Sequence, residues 1–265
     1  MNLPLGLSSL ALTAKEAALE AAKILKNGFK QSIKVSTKPG RQNYVTEYDN
    51  QSENCIISSI KNQFPSHQFL AEESGLSYQI EPEEVLWIID PLDGTTNFIH
   101  HIPIFTISIA AMIKQEIVCG VIYQPFTNEL FISEKNQGAY LNGKKLQVSS
   151  TKFIKDALIS INFPYDVKDH PIFSIEQLRE FTLLGASLRN LGSSSLALAY
   201  LAAGKLDAFW MNHLYPWDWA AGKLMIEESQ GKLTFYPEKE NLFTTSTILA
   251  TNSQLHPELL KCIKH

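Results

Sequence analysis

The chain has few cysteines and no surplus of charge. Its 265 residues include three cysteines, Cys55, Cys119 and Cys262, far apart and without C-x-x-C spacing. That excludes a disulfide framework and a cysteine-built zinc site, and it fits reduced thiols in a reducing, cytoplasmic compartment. No Lys or Arg precedes Lys15. The apolar start M-N-L-P-L-G-L-S-S-L-A-L-T-A therefore lacks the positive region of a secretory signal and reads as an arm entering a helix. No apolar run approaches the ~20 residues that span a bilayer, so no membrane association is expected. The net charge of -4 gives neither a basic surface for nucleic acid nor an acidic tail. Missing too are G-x-x-x-x-G-K-[ST], G-x-G-x-x-G, G-x-S-x-G and H-E-x-x-H, the short signatures of several nucleotide-binding and hydrolytic sites.

What is present is the composition of a globular protein with a sizeable core, 45 % hydrophobic and 19 % charged. The length fits one large domain or two closely joined lobes. T-A-K-E at 13–16 reads as a capping box, followed by helical spacing of Ala17, Ala18, Ala21, Ile24 and Leu25. A second helix is expected from about Asp49, with Ile56, Ile57, Ile60 and Phe64 inward. Short strands are expected at 68–71 and 86–89. An antiparallel meander follows at 105–113, 117–123, 129–133 and 139–141, its last turn Asn142-Gly143. From about Lys155 the pattern alternates: strand 157–161, helix 175–184, a strand, helix 193–203, strand 206–210 and helix 217–229. Pro216 and Gly231 mark the start and stop of that last helix. The whole is expected to be a single domain over 1–265, with a meander lobe over about 1–154 and an α/β lobe over about 155–265.

One stretch carries the chemistry. Val85-Leu86-Trp87-Ile88-Ile89 runs into Asp90-Pro91-Leu92-Asp93-Gly94-Thr95-Thr96, delivering two carboxylates and two hydroxyls at a strand end. Pro91 biases Asp90 toward extended geometry, and Asp90–Asp93 suits a type I turn with both acids on one side. Gly94 lets the backbone approach a ligand, and a short helix over 94–98 would offer N–H groups to phosphate. Further acids sit at Glu72-Glu73 after a strand, at Asp49, and at Asp218 in P-W-D-W-A-A-G. Each alone has a plain structural account, as helix cap or solvated pair. If Glu72, Asp90, Asp93 and Asp218 converge to ~5 Å, each pair repels by ~3 kcal/mol at an effective dielectric of ~20. Six such pairs cost ~20 kcal/mol, more than the ~5–15 kcal/mol stability of a typical domain. Protons or cations must then offset the charge. An all-oxygen donor set favours Mg²⁺ or Mn²⁺ over zinc.

Together W-I-I-D-P-L-D-G-T-T-N-F, A-E-E-S upstream and P-W-D-W-A-A-G downstream, in that order and spacing, resemble the inositol monophosphatase family, and most closely its bacterial branch. The resemblance runs from Lys38 to the helix after Pro216. It implies the sugar-phosphatase fold, an α+β chain layered as an α-β-α-β-α sandwich. It implies a lithium-sensitive, Mg²⁺-dependent phosphatase acting on inositol monophosphate, with two to three ions per site. By that resemblance Glu72, Asp90 and the Leu92 carbonyl would hold one ion; Asp90, Asp93 and Asp218 would hold a second; Glu72 would touch a third. Thr95, hydrogen-bonded to Asp49, would orient the attacking water, with Glu73 in support and Lys38 in a loop that closes over the site. The Gly94 and Thr95 N–H groups would take phosphate oxygens, and Gly192, Ser193 and Ser194 would line the alcohol part. The family also suggests a homodimer, with Arg189 near its interface.

Three positions depart from the family pattern. Ala71 replaces a usual glycine, Asn43 stands where aspartate is common, and Met211 replaces a glutamate that hydrogen-bonds inositol hydroxyls. A thioether accepts such bonds poorly, so Met211 weakens the case for inositol. Competing readings are a 3′-phosphoadenosine nucleotidase, a fructose-bisphosphatase, a histidinol phosphatase, or a regulatory binding protein of the transcription machinery.

Overall fold

A computed structural model describes residues 6–38, 44–76, 84–163, 171–236 and 246–263, with backbone only for 171–174. Asn43 lies outside the described residues.

The first layer is a helix pair, α1 (Ser9–Gly28) and α2 (Glu47–Gln63), joined through a small antiparallel pair, β1 (Val35–Thr37) and β2 (Tyr44–Thr46). The capping box expected at 13–16 is not the start of α1. Ser8 caps the helix by accepting from the Ala11 N–H at 3.3 Å, and Thr13 is buried inside it. The carboxylate of Glu134 accepts the Ser8 N–H at 3.1 Å, so a distant strand completes the cap. The α2 cap is local: Thr46 and Asp49 exchange side-chain and backbone bonds as N-cap and N3.

The second layer is an eight-stranded sheet. Its members are β3 (Gln68–Ala71), β4 (Gly75–Leu76), β5 (Leu86–Asp93), β6 (Thr106–Ile113), β7 (Glu116–Gln124), β8 (Glu129–Glu134), β9 (Gly138–Leu141) and β10 (Lys144–Lys145). Its order is β10-β9-β8-β7-β6-β5-β3-β4, antiparallel except for β3 beside β5. The meander matches its expected strands to within one or two residues. Asn142 (φ 49°) and Gly143 (φ 83°) form its last turn, the left-handed pair that a tight hairpin requires.

The middle layer is α5 (Ser194–Ala202) and α6 (Pro216–Glu228). Eight of the nine α5 residues are buried, as expected of a helix apolar on all sides and sheathed by two sheets. The fourth layer is a five-stranded sheet in the order β12-β11-β13-β15-β14: β11 (Leu158–Ile161), β12 (Ser187–Arg189), β13 (Ala208–Leu214), β14 (Lys232–Tyr236) and β15 (Ser246–Thr251). The outer layer is α4 (Pro171–Leu183) and α7 (His256–Ile263).

Alternation along β5 divides the core. Trp87 and Ile89 pack toward α1 and α2, while Leu86 and Ile88 pack toward α5 and α6. A third cluster, including Ile159, Trp210 and Leu259, lies under α4 and α7. The expected α-β-α-β-α sandwich is therefore what the chain forms. Among the described residues no helix is long and apolar enough to cross a membrane.

Candidate active site

The short helix after β5, α3 (Thr95–Ile99), has Gly94 as its N-cap. The segment expected as a type I turn is instead the end of β5, which continues through Pro91. Asp90 pairs with Ser108 and Asp93 with Thr106, so three steps on β5 oppose two on β6. This bulge turns two acids of odd spacing onto one face, whereas a regular strand would point them apart. Pro91 has no N–H to strand in the broken ladder, and the freed groups find partners. Leu92 N–H donates to Asp90 Oδ1 (3.0 Å), Ser52 Oγ donates to the Pro91 carbonyl (2.8 Å), and Thr95 Oγ1 to the Leu92 carbonyl (3.1 Å). Gly94 then takes φ 103°, where a Cβ would lie 3.1 Å from two carbonyl oxygens, those of Gly192 and Ile104.

Two other elements aim their ends at this bulge. Strand β3 runs parallel to β5 with Ala71 opposite Ile89, which brings Glu72 beside Asp90. Helix α6 begins at Pro216, and its third residue, Asp218, accepts the Tyr215 N–H at 2.7 Å. Asp90, Asp93 and Asp218 each offer an oxygen within 4.8 Å of the others. Glu72 stands outside that trio, its Oε1 3.0 Å from Lys38 Nζ, which also reaches Glu73 at 2.6 Å. A cavity of about 360 Å³ opens over them. Its lining includes Lys38, Glu72, Asp90, Leu92, Asp93, Gly94, Thr95 and Asp218.

The electrostatics are those of crowded, dehydrated acids. Burial drives the Asp90 carboxyl well above the usual range, and the charges of Glu72, Asp93 and Asp218 add to it. Burial does the same to Asp218, with Asp93 and Glu72 adding. Glu72 is pushed up to about 7 by burial, against the pull of Lys38. Burial raises Asp49 as well, opposed by bonds from Thr46 and Thr95, and raises Glu73, opposed by Lys38. For Lys38 burial favours the neutral amine, but the neighbouring Glu72 and Glu73 outweigh it and hold the ammonium.

Each acid has a rigid mount. Asp93 Oδ2 accepts from Ser193 Oγ (2.6 Å) and from Ser195 N (2.7 Å) and Oγ (2.5 Å), while Oδ1 accepts from Ser194 N (3.2 Å). Asp49 accepts from Thr46 N and Oγ1 and from Thr95 Oγ1 (3.0 Å). Of the residues expected along the alcohol part, Gly192, Ser193, Ser194 and Met211 are not among those lining the cavity. Ser193 and Ser194 stand behind Asp93, and Ser194 Oγ faces Met211 Sδ at 3.4 Å.

Sequence reasoning passed over several members of the site. Ser195 is visible only as the third serine of a run at a helix start. The carboxylate of Glu53 holds the N–H groups of Glu73 (2.8 Å) and Ser74 (2.9 Å). Its signal was an acid sharing the inward stripe of Asp49, Ile56 and Ile60. Tyr215 lines the cavity beside Trp217, while Trp87 and Trp219 are wholly buried.

The sequence pattern of the inositol monophosphatase family matches residues 7–265. The chain belongs to the inositol monophosphatase family. It is 38 % identical over 253 residues to the inositol-1-monophosphatase of Caulobacter vibrioides, covering 94 % of this chain and 98 % of that one. It is 35 % identical over 249 residues to the Nus factor SuhB of Escherichia coli, 93 % of this chain and 92 % of that one. The solved extragenic suppressor protein suhB from Bartonella henselae superposes with a TM-score of 0.89 at 34 % identity, covering 97 % and 99 % of the two chains. Membership in the inositol monophosphatase family supports a phosphatase, and that family's dependence on metal accords with the acidic trio.

Proposed function

We propose that this chain is a Mg²⁺-dependent phosphomonoesterase that hydrolyses small phosphate monoesters. Inositol monophosphate is the ester its family points to. The observation that carries this reading is the convergence of Asp90, Asp93 and Asp218 within 4.8 Å in a cavity that Thr95 also lines.

The donor set fits hard divalent cations. It is all oxygen, and Asp90 and Asp218 are raised by dehydration and neighbouring charge, strain that cations relieve. Glu72, Asp90, the Leu92 carbonyl, Asp93 and Asp218 would hold two to three Mg²⁺, with Mn²⁺ able to substitute. Bound there, the cations supply Lewis acidity for the phosphate, the attacking water and the departing alkoxide.

The remaining roles belong to the chain. Thr95 Oγ1 has one proton and faces two acceptors, Asp49 Oδ1 and the Leu92 carbonyl, so its lone pairs point elsewhere and can orient a water. Asp49 is fixed for this by Thr46. The N–H groups of Gly94 and Thr95 receive phosphate oxygens. Lys38 closes the rim, and Glu73, seated by Glu53, carries it. Water adds its oxygen to phosphorus, the ester P–O bond breaks, and the alcohol leaves with a proton.

The family further supports inhibition by lithium, a homodimer and a cytoplasmic setting. The name of the Escherichia coli relative supports a second reading, a regulatory binding protein of the transcription machinery. The intact acid set favours catalysis. The deciding experiment is phosphate release from glycerol 2-phosphate and inositol 1-phosphate by the pure protein, with Mg²⁺ and with a chelator. Release that needs Mg²⁺ is expected; none from any small ester would leave the regulatory reading.

A further inference from the structure

Tyr215 and Trp217 both line the cavity, and their rings lie parallel, 4.8 Å between centroids at an interplanar angle of 6°. Two features hold Tyr215 in place although it is 46 % exposed. Its N–H is bound by Asp218 at 2.7 Å, and Pro216 follows it in the chain. Tyr215 therefore stands at a fixed offset from the acids that would hold the cations, as part of a stacked pair rather than a free surface side chain.

The same cavity has little to read a polyol with. Recognition of hydroxyls needs spare acceptors of defined position. Ser193, Ser194 and Ser195 stand behind Asp93 and outside the lining. Beside the carboxylates, the side chains of the lining offer only the polar groups of Lys38, Thr95, Tyr215 and Trp217. Of these Lys38 is held by Glu72 and Glu73, and Thr95 by Asp49. The carboxylates of the lining are the proposed cation ligands.

We propose that the leaving-group side of this cavity prefers phosphate esters of alcohols that carry a flat aromatic ring, which packs on the Tyr215–Trp217 pair. This rests on the phosphomonoesterase reading above and names its substrate class. Aromatic pairing adds a few-fold to roughly tenfold over simple area burial. A preformed ring pair charges little ordering entropy for that gain.

The test compares 2-phenylethyl phosphate with 2-cyclohexylethyl phosphate. Both release a primary alkoxide of similar size, and only the first presents a flat π-face. With saturating Mg²⁺, the wild type is expected to favour the phenyl ester in kcat/KM by about 2- to 12-fold, and the phenyl ester should also surpass inositol 1-phosphate. Tyr215→Phe should keep the phenyl-to-cyclohexyl ratio, and Tyr215→Leu, which fills the space without a ring, should bring it to about one. A wild-type ratio near one, or one that Tyr215→Leu leaves unchanged, overturns the proposal. Release from glycerol 2-phosphate but from neither probe also overturns it while sparing the phosphatase reading. Release from no ester at all removes both.

Discussion

Asp93 and Ser195 are bound twice over: one carboxylate oxygen takes the serine hydroxyl at 2.5 Å and the same residue's backbone N–H at 2.7 Å. The contact ties the end of β5 to the start of α5, across 102 positions of chain. A hydroxyl bonded to a buried charge contributes about 1.5–3 kcal/mol. Ser195→Ala is therefore expected to lower unfolding free energy by about that amount in urea titrations without metal. A change below about 0.5 kcal/mol would show that the remaining donors suffice.

Asp93→Asn removes a charge from the trio. Turnover is expected to fall roughly a thousandfold or more, because charge stabilisation by bound cations is worth several kcal/mol. A chelator should abolish wild-type activity. Turnover of the variant within tenfold of wild type, measured at saturating Mg²⁺, would refute a cation role for Asp93.

Met211 places a thioether where the family resemblance leads one to expect a glutamate, with Ser194 Oγ as its polar neighbour. Each charge-assisted hydrogen bond lost costs ~1.5–3 kcal/mol, or roughly 10- to 150-fold. Met211→Glu is expected to raise kcat/KM for inositol 1-phosphate relative to glycerol 2-phosphate by at least tenfold. An unchanged ratio would exclude position 211 from substrate choice.

His256 gives a pH prediction away from the site. It is 1 % exposed, with Nδ1 3.0 Å from Thr251 Oγ1 and Nε2 2.8 Å from Thr234 Oγ1. Burial, with Lys232 nearby, lowers it to about 4. An unfolded histidine takes its proton near 6.5. Between pH 6.5 and 4 the unfolded chain binds the extra proton, so stability drops as pH falls through that window, by up to about 3 kcal/mol. The Glu72 carboxyl, held up at about 7, acts with the opposite sign. The measurement is therefore the difference between wild type and His256→Gln, melted from pH 7 to 4 with Mg²⁺ saturating. Parallel melting curves would contradict the assignment.

Local signals account for what could be read in advance. The meander β6–β9 was legible because apolar runs, buried on both faces, are punctuated by short polar turns that end in Asn142-Gly143. The acids were legible because each sits in a short motif at the end of an element. The start of α1 was not, since the Ser8 cap is completed by Glu134, 126 positions away. Glu53 and Ser195 act through bonds that span 20 and 102 positions, which no local pattern reveals. Asp90–Asp93 suits a turn as well as a bulge, and only pairing with β6 decides between them. The final pair β14 and β15 and helix α7 carried no expectation from the sequence.

The bulge in β5 makes length a constraint separate from chemistry. Deleting Pro91 would restore simple alternation and still leave both aspartates on one face. The Leu92 carbonyl, however, would return to the ladder and no longer turn toward Thr95. Such a chain would keep every acidic residue of the site and lack one of the oxygen donors proposed for it. Deletions here should therefore be tolerated less than conservative substitutions, and a count of acids alone would mistake the shortened chain for a working one.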